Sequence, residues 1–132
     1  MGPRLRYLVD TDVLIDFLRG VKGSYEFLSR IIGEGASISA ITVAELMSGK
    51  KTRDPERRRY ILALISKLAV IPIDKEIGIK AGELRRDYGT KIGDAVIAAT
   101  AITHDLTLIT RNIKDFDEIP GLRVRVPDYA SK

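Results

Sequence analysis

In Arg6-Tyr7-Leu8-Val9-Asp10-Thr11-Asp12 a short apolar run stops abruptly at two carboxylates. Such a run, bounded by polar residues, reads as a buried strand. Residues 13–19 follow at helical spacing and are closed by Gly20. Working outward, residues 24–32 predict a helix ending at Gly33, and 36–39 a second strand. Residues 42–48 predict a helix in which Thr42 and Glu45 fit a capping box. Residues 56–69 are amphipathic, 70–73 predict a third strand, and 75–88 a helix. An apolar helix over 94–103, a fourth strand over 106–110 and a fifth over 123–126 complete the chain. Consecutive strands lie a helix apart rather than a hairpin apart. That is the α/β pattern of a parallel sheet covered on both faces.

The 132 residues read as one domain, 1–132, long enough to remove roughly two-thirds of the unfolded surface from water. With 45% hydrophobic and 30% charged residues, disorder is excluded as the main reading. The absence of cysteine excludes disulfides, thiolate zinc sites and cysteine nucleophiles. A single histidine, His104, excludes histidine-rich metal sites and is expected near a helix end facing solvent. No apolar run is long enough to span a membrane and no secretory signal is evident, so a cytoplasmic location is expected. The net charge of +4 is compatible with a polyanion partner.

Asp94-Ala95-Val96-Ile97-Ala98-Ala99-Thr100-Ala101-Ile102 places a carboxylate at the head of a segment that is apolar nearly all the way round. Such a helix belongs in an interior, and ionised acids avoid interiors unless a cation or donors compensate them. Other acids fall where a parallel sheet binds ligands, at the carboxyl ends of its strands. Asp10 and Asp12 follow the first strand, Glu45 lies early in the helix after the second, and Thr110, Asn112 and Asp115 follow the fourth. A carboxylate cluster without His or Cys is a hard-oxygen site suited to Mg²⁺ or Mn²⁺. One or two such ions activate water and neutralise charge on a phosphodiester.

Each acid also has a structural role open to it. Asp10 or Asp12 caps the following helix, Glu45 completes the capping box, Asp94 is an N-terminal helix acid, and Asn112 and Asp115 are turn residues. Their joint placement is harder to explain as separate caps. The Lys50, Lys51, Arg53, Arg57, Arg58, Arg59 cluster reads as a solvated face or a nucleic-acid contact. Arg85, Arg86 and Lys91 form a second basic set, nearer Asp94 and the better candidates for substrate phosphate.

These residues carry a family resemblance. The opening Tyr7-Leu8-Val9-Asp10-Thr11-Asp12-Val13-Leu14-Ile15-Asp16 resembles that of PIN-domain nucleases, and Ser39-Ala40-Ile41-Thr42-Val43-Ala44-Glu45-Leu46 resembles their second motif. Gly93-Asp94-Ala95-Val96-Ile97-Ala98-Ala99-Thr100-Ala101, continuing to Leu108-Ile109-Thr110-Arg111-Asn112 and Asp115-Phe116, resembles their third and fourth. The similarity covers nearly the whole chain in order. Within the superfamily it is most similar to VapC, the toxin half of bacterial and archaeal VapBC toxin–antitoxin pairs. The resemblance implies a three-layer α/β/α sandwich with a central parallel sheet and a Mg²⁺- or Mn²⁺-dependent endoribonuclease. It implies catalytic acids at Asp10, Glu45, Asp94 and Asp115, with Asp10, Asp94 and Asp115 on the metal. Asn112 shares the last motif and is an alternative to Asp115. Thr11, Asp12 and Thr110 are expected in supporting positions, Asp12 standing where many relatives have Asn.

An RNA substrate, a VapB-like antitoxin and a homodimer are the implied partners, and no membrane. Candidate contact surfaces are Tyr25, Phe27, Leu28 and Ile31 and residues 60–64, whose alternative fate is ordinary core. Three other functions stay open at this point, one of them a non-catalytic binding module in which the acids are remnants. A housekeeping RNA-processing nuclease keeps the fold and changes the role. A haloacid-dehalogenase-like phosphatase shares the Asp10-Thr11-Asp12 pattern after a strand, although Val13 stands where that family has glycine.

Overall fold

The computed structural model describes residues 4–130; residues 1–3 and 131–132 of the expected domain lie outside the described residues. Five parallel strands form the sheet: β1 (Tyr7–Val9), β2 (Ala36–Ser39), β3 (Ala69–Ile71), β4 (Thr107–Ile109) and β5 (Val124–Arg125). Their spatial order is β3-β2-β1-β4-β5. Among the described residues the α-helices are α1 (Thr11–Leu18), α2 (Ser24–Gly35), α3 (Ala40–Met47), α4 (Pro55–Ser66), α5 (Lys75–Tyr88) and α6 (Ile92–Thr103).

Alternation along β1 sorts the core into two halves. Tyr7 and Val9 point to one face, where they pack with Val13, Leu14, Phe27 and Ile31 of α1 and α2. Leu8 points to the other, against Ile77 and Leu84 of α5 and the apolar run of α6. The result is the expected three-layer α/β/α sandwich. Among the described residues no helix is long and apolar enough to cross a membrane.

The strand order has one consequence for function. From β1 the chain moves outward to β2 and β3, then returns to place β4 on the other side of β1. The order therefore reverses between β1 and β4, and the carboxyl ends of these strands open a crevice there. Because α6 feeds into β4 through a short turn, its N-terminus also lies at this carboxyl edge. Asp94 is brought to the site by that reversal of direction.

Several element boundaries differ from those expected. Helix α1 begins at Thr11, two residues early, because Asp10 ends the strand and caps the helix at once. Helix α2 runs on past Gly33 to Gly35, whose φ of 112° only glycine adopts readily. A Cβ there would also run into the carbonyl of Arg4. Helix α3 begins at Ala40, capped by Ser39, whose hydroxyl accepts from the Ile41 N–H at 3.1 Å. The Thr42–Glu45 capping box is therefore not formed, and both side chains are released for other bonds.

Candidate active site

Asp10 is the centre of the crevice. It is 6% exposed, and its backbone N–H donates to Ile109 O across the β1–β4 seam at 2.9 Å. One carboxylate oxygen, Oδ1, accepts from the Thr11 N–H at 2.8 Å, and Oδ2 accepts from the Thr110 hydroxyl at 2.7 Å. Thr110 Oγ1 is itself fixed by the Asn112 N–H, which donates to it at 3.0 Å. Burial, then the charges of Asp12 and Glu45, raise the Asp10 carboxyl to about 6 against the lowering effect of these hydrogen bonds.

Asp94 lies in the first turn of α6, as its third residue rather than its head. It is half-buried and also raised to about 6, first by desolvation and then by the charges of Asp10, Asp115 and Glu45. Lys91 opposes the rise. Asp94 thus feels the charges of the three other acids singled out in the sequence. Asp94 shares with Asp115, Lys91 and Lys114 a polar cleft of about 250 Å³. Asp115 is exposed, in a short helical turn at Ile113–Asp115 that is anchored by the buried Phe116. Asn112 is exposed in the same loop, its backbone engaged with Thr110 and Asp115.

Glu45, on α3, is tied to α1: its Oε1 accepts from the Thr11 hydroxyl at 2.6 Å, and the Thr11 and Thr42 hydroxyls are bonded at 3.0 Å. Its other oxygen, Oε2, approaches Gly93, where an added Cβ would stand 3.4 Å away. Glu45 therefore bridges α1 and the start of α6. Asp12 faces the loop after β4: its Oδ2 accepts from the Arg111 N–H at 3.1 Å and stands 3.4 Å from the Thr110 hydroxyl. Its Oδ1 is buried without a hydrogen-bond partner. Among the described residues no group of three or more His, Cys, Asp or Glu side chains forms a ready-made metal cage.

Residues 7–122 match the PIN domain. Over 122 residues the chain is 37% identical to ribonuclease VapC10 of Mycobacterium tuberculosis, covering 88% of this chain and 90% of that one. It belongs to the VapC family of PIN-domain proteins. A second VapC relative, the tRNA(fMet)-specific endonuclease of Salmonella typhimurium, is 30% identical over 127 residues, covering 91% of this chain and 96% of that one. In structure, the chain is similar to VapBC2 from Rickettsia felis bound to a DNA fragment from its promoter, with a TM-score of 0.81 and 26% identity. That match covers 94% of this chain and 100% of the other. The family settles the two readings of Asp10-Thr11-Asp12 in favour of the PIN nuclease pattern.

Close to these acids in this VapC-family chain stand residues not singled out in the sequence. Asp16 is 4% exposed, and its Oδ2 meets Arg111 Nε at 2.9 Å and accepts from the Tyr129 hydroxyl at 2.8 Å. Asp12 and Asp16 stand one helical turn apart in an otherwise apolar helix. That spacing is a signal from which a shared cation could have been expected. Nothing in the sequence pointed to Tyr129. Of the weaker phosphate candidates, Lys91 lies beside Asp94. Arg86 pairs with Asp87 at 2.7 Å, and Arg85 donates to the Thr90 carbonyl at 3.2 Å. Of the surface candidates, Phe27, Leu28, Ile31, Ile61 and Leu64 are core, whereas Tyr25, Tyr60 and Leu62 are exposed. His104 is exposed at the end of α6, as expected.

Proposed function

We propose that this chain is a divalent-metal-dependent endoribonuclease, the toxin of a VapBC-type pair, working as a single nuclease domain over residues 1–132. The observation that carries the reading is the convergence of buried and half-buried acids at one strand edge: Asp10 and Asp94 are both raised to about 6, first by desolvation, then Asp10 by Asp12 and Glu45, and Asp94 by Asp10, Asp115 and Glu45. Carboxylates gathered in this way hold a cation better than they hold their own charges. The donor set is oxygen throughout, which suits Mg²⁺ or Mn²⁺. Mg²⁺ keeps several of its waters, so it does not require a full protein cage.

In this reading Asp10, Asp94 and Asp115 hold one or two ions, directly or through water. When bound, such an ion would supply water activation and charge neutralisation at the phosphodiester. Glu45, held by Thr11, orients the attacking water. Thr110 keeps the Asp10 carboxylate turned to the site, and Asp12 steadies the loop that carries Thr110 and Asn112. A VapB-like antitoxin would restrain the enzyme, and two copies would form a homodimer. An RNA substrate implies a cytoplasmic site of action.

The test is cleavage of end-labelled RNA by the purified chain, with and without a chelator, beside Asp10→Asn. The reading expects cleavage by the wild type that the chelator abolishes, and at least about 100-fold less in the variant. Full activity in a correctly folded Asp10→Asn protein would sink it.

A further inference from the structure

Glu45 also lines a second cleft, of about 420 Å³, which shares no lining residue with the cleft at Asp94. Its floor is apolar, made by Ile15, Leu18, Leu46 and Ile61. Its rim is cationic: Arg19 from the end of α1, Lys50 and Lys51 from the turn after α3, and Arg57 from α4. Leu18, Arg19, Lys51 and Arg57 also line a shallower cleft beside Asp54, so the groove continues outward from Glu45. Of the basic cluster seen in the sequence, Lys50, Lys51 and Arg57 face this groove, while Arg53, Arg58 and Arg59 do not line it.

Several surface arginines are already engaged by carboxylates, and the rim cations are not among them. Arg6, Arg30, Arg86, Arg111, Arg123 and Arg125 each stand in an ion pair. Among the described residues, none of Arg19, Lys50, Lys51 and Arg57 does. The Arg57 guanidinium lies over the Tyr60 ring, 5.6 Å from its centroid, and its Nε is buried with no hydrogen-bond partner. Four unpaired cations above an apolar floor, with the nuclease acid Glu45 in the lining, complement a strand of phosphates carrying flat apolar bases.

We infer that this groove holds the single-stranded RNA on one side of the bond cut, phosphates on Arg19, Lys50, Lys51 and Arg57 and a base on the floor. The inference rests on the ribonuclease reading and assigns that activity its substrate path. Glu45 joins the two: one face meets the reacting centre, the other lines the groove.

The test is binding of a fluorescent single-stranded RNA, followed by anisotropy across a salt series, in an Asp10→Asn background that binds without cutting. The triple variant Arg19→Ala/Lys50→Ala/Lys51→Ala removes three exposed side chains, and its melting curve checks the fold. Each phosphate contact contributes about 0.7 to the slope of log affinity against log salt, so the slope falls by about 2 and binding near 0.1 M salt weakens about 100-fold. Arg53→Ala/Arg58→Ala/Arg59→Ala removes equal charge from outside the groove and leaves most of the slope in place. A groove triple that keeps the full slope, in a chain whose wild type cleaves RNA, overturns the groove alone and leaves it to an acidic protein segment. A chain that neither binds nor cleaves RNA overturns the ribonuclease reading and the groove with it.

Discussion

The Thr110 hydroxyl donates to Asp10 Oδ2 at 2.7 Å, joining the ends of β1 and β4 where the strand order reverses. That bond holds a buried carboxylate which burial and its acidic neighbours nevertheless keep at about 6. Two quantities follow in opposite directions, the stability of the metal-free protein and its activity.

An aspartate raised from 3.8 to about 6 binds more protons folded than unfolded between those values, so its contribution to stability falls as pH rises through that window. The loss at Asp10 is roughly 1–3 kcal/mol. Asp94 adds less, because water screens a half-exposed group. Metal-free protein should therefore melt higher near about pH 5 than near about pH 7.5. Asp10→Asn should flatten that dependence, and Mg²⁺ should restore stability at the higher pH by binding the folded state. Cleavage should instead rise with pH through about 6, as the carboxylates ionise and take up metal. Thermal melts across pH, with and without Mg²⁺, measure the first effect and initial rates the second.

Thr11 is a positioning residue for Glu45. Thr11→Val keeps the shape and removes the hydroxyl that Glu45 accepts from at 2.6 Å. Loss of such a supporting bond costs about 10- to 100-fold in metal affinity or activity. The effect should vanish in a Glu45→Gln background, since the two side chains act as one unit. Rates for the two single variants and the double variant check this, and simple additivity would contradict it.

The Asp16–Arg111–Tyr129 cluster ties the chain's last described turn to the loop that carries Thr110. Arg111→Ala leaves a buried carboxylate with the Tyr129 hydroxyl alone, and should destabilise by about 1–3 kcal/mol given Arg111's own exposure. Tyr129→Phe should cost about 1–2 kcal/mol. Adding Asp16→Asn to Arg111→Ala should recover part of the loss, because the stranded charge is gone. Urea unfolding of the set gives each value.

Much of this was legible in the sequence because it rests on local pattern. The apolar runs ending in acids set the parallel sheet, and the acids themselves marked its carboxyl edge. The errors came where two local signals competed. Ser39 outbid Thr42 as the α3 cap, which freed Glu45 to reach Thr11. Gly35 rather than Gly33 ends α2, because the neighbouring Arg4 carbonyl leaves no room for a side chain there. The Asp16–Tyr129 bond joins residues 113 apart. No spacing rule reaches that far, since only the folded sheet brings them together.

The central claim is that Asp10 and Asp94 share a divalent cation on which RNA cleavage depends. Its most direct test is the rate of RNA cleavage during a Mg²⁺ titration of metal-stripped wild type and Asp94→Asn, with both melting curves recorded. The account predicts no cleavage without metal, a rate that saturates with Mg²⁺ in the wild type, and at least about 100-fold less in the folded variant. Undiminished cleavage by folded Asp94→Asn, or full activity in metal-stripped protein, would contradict it.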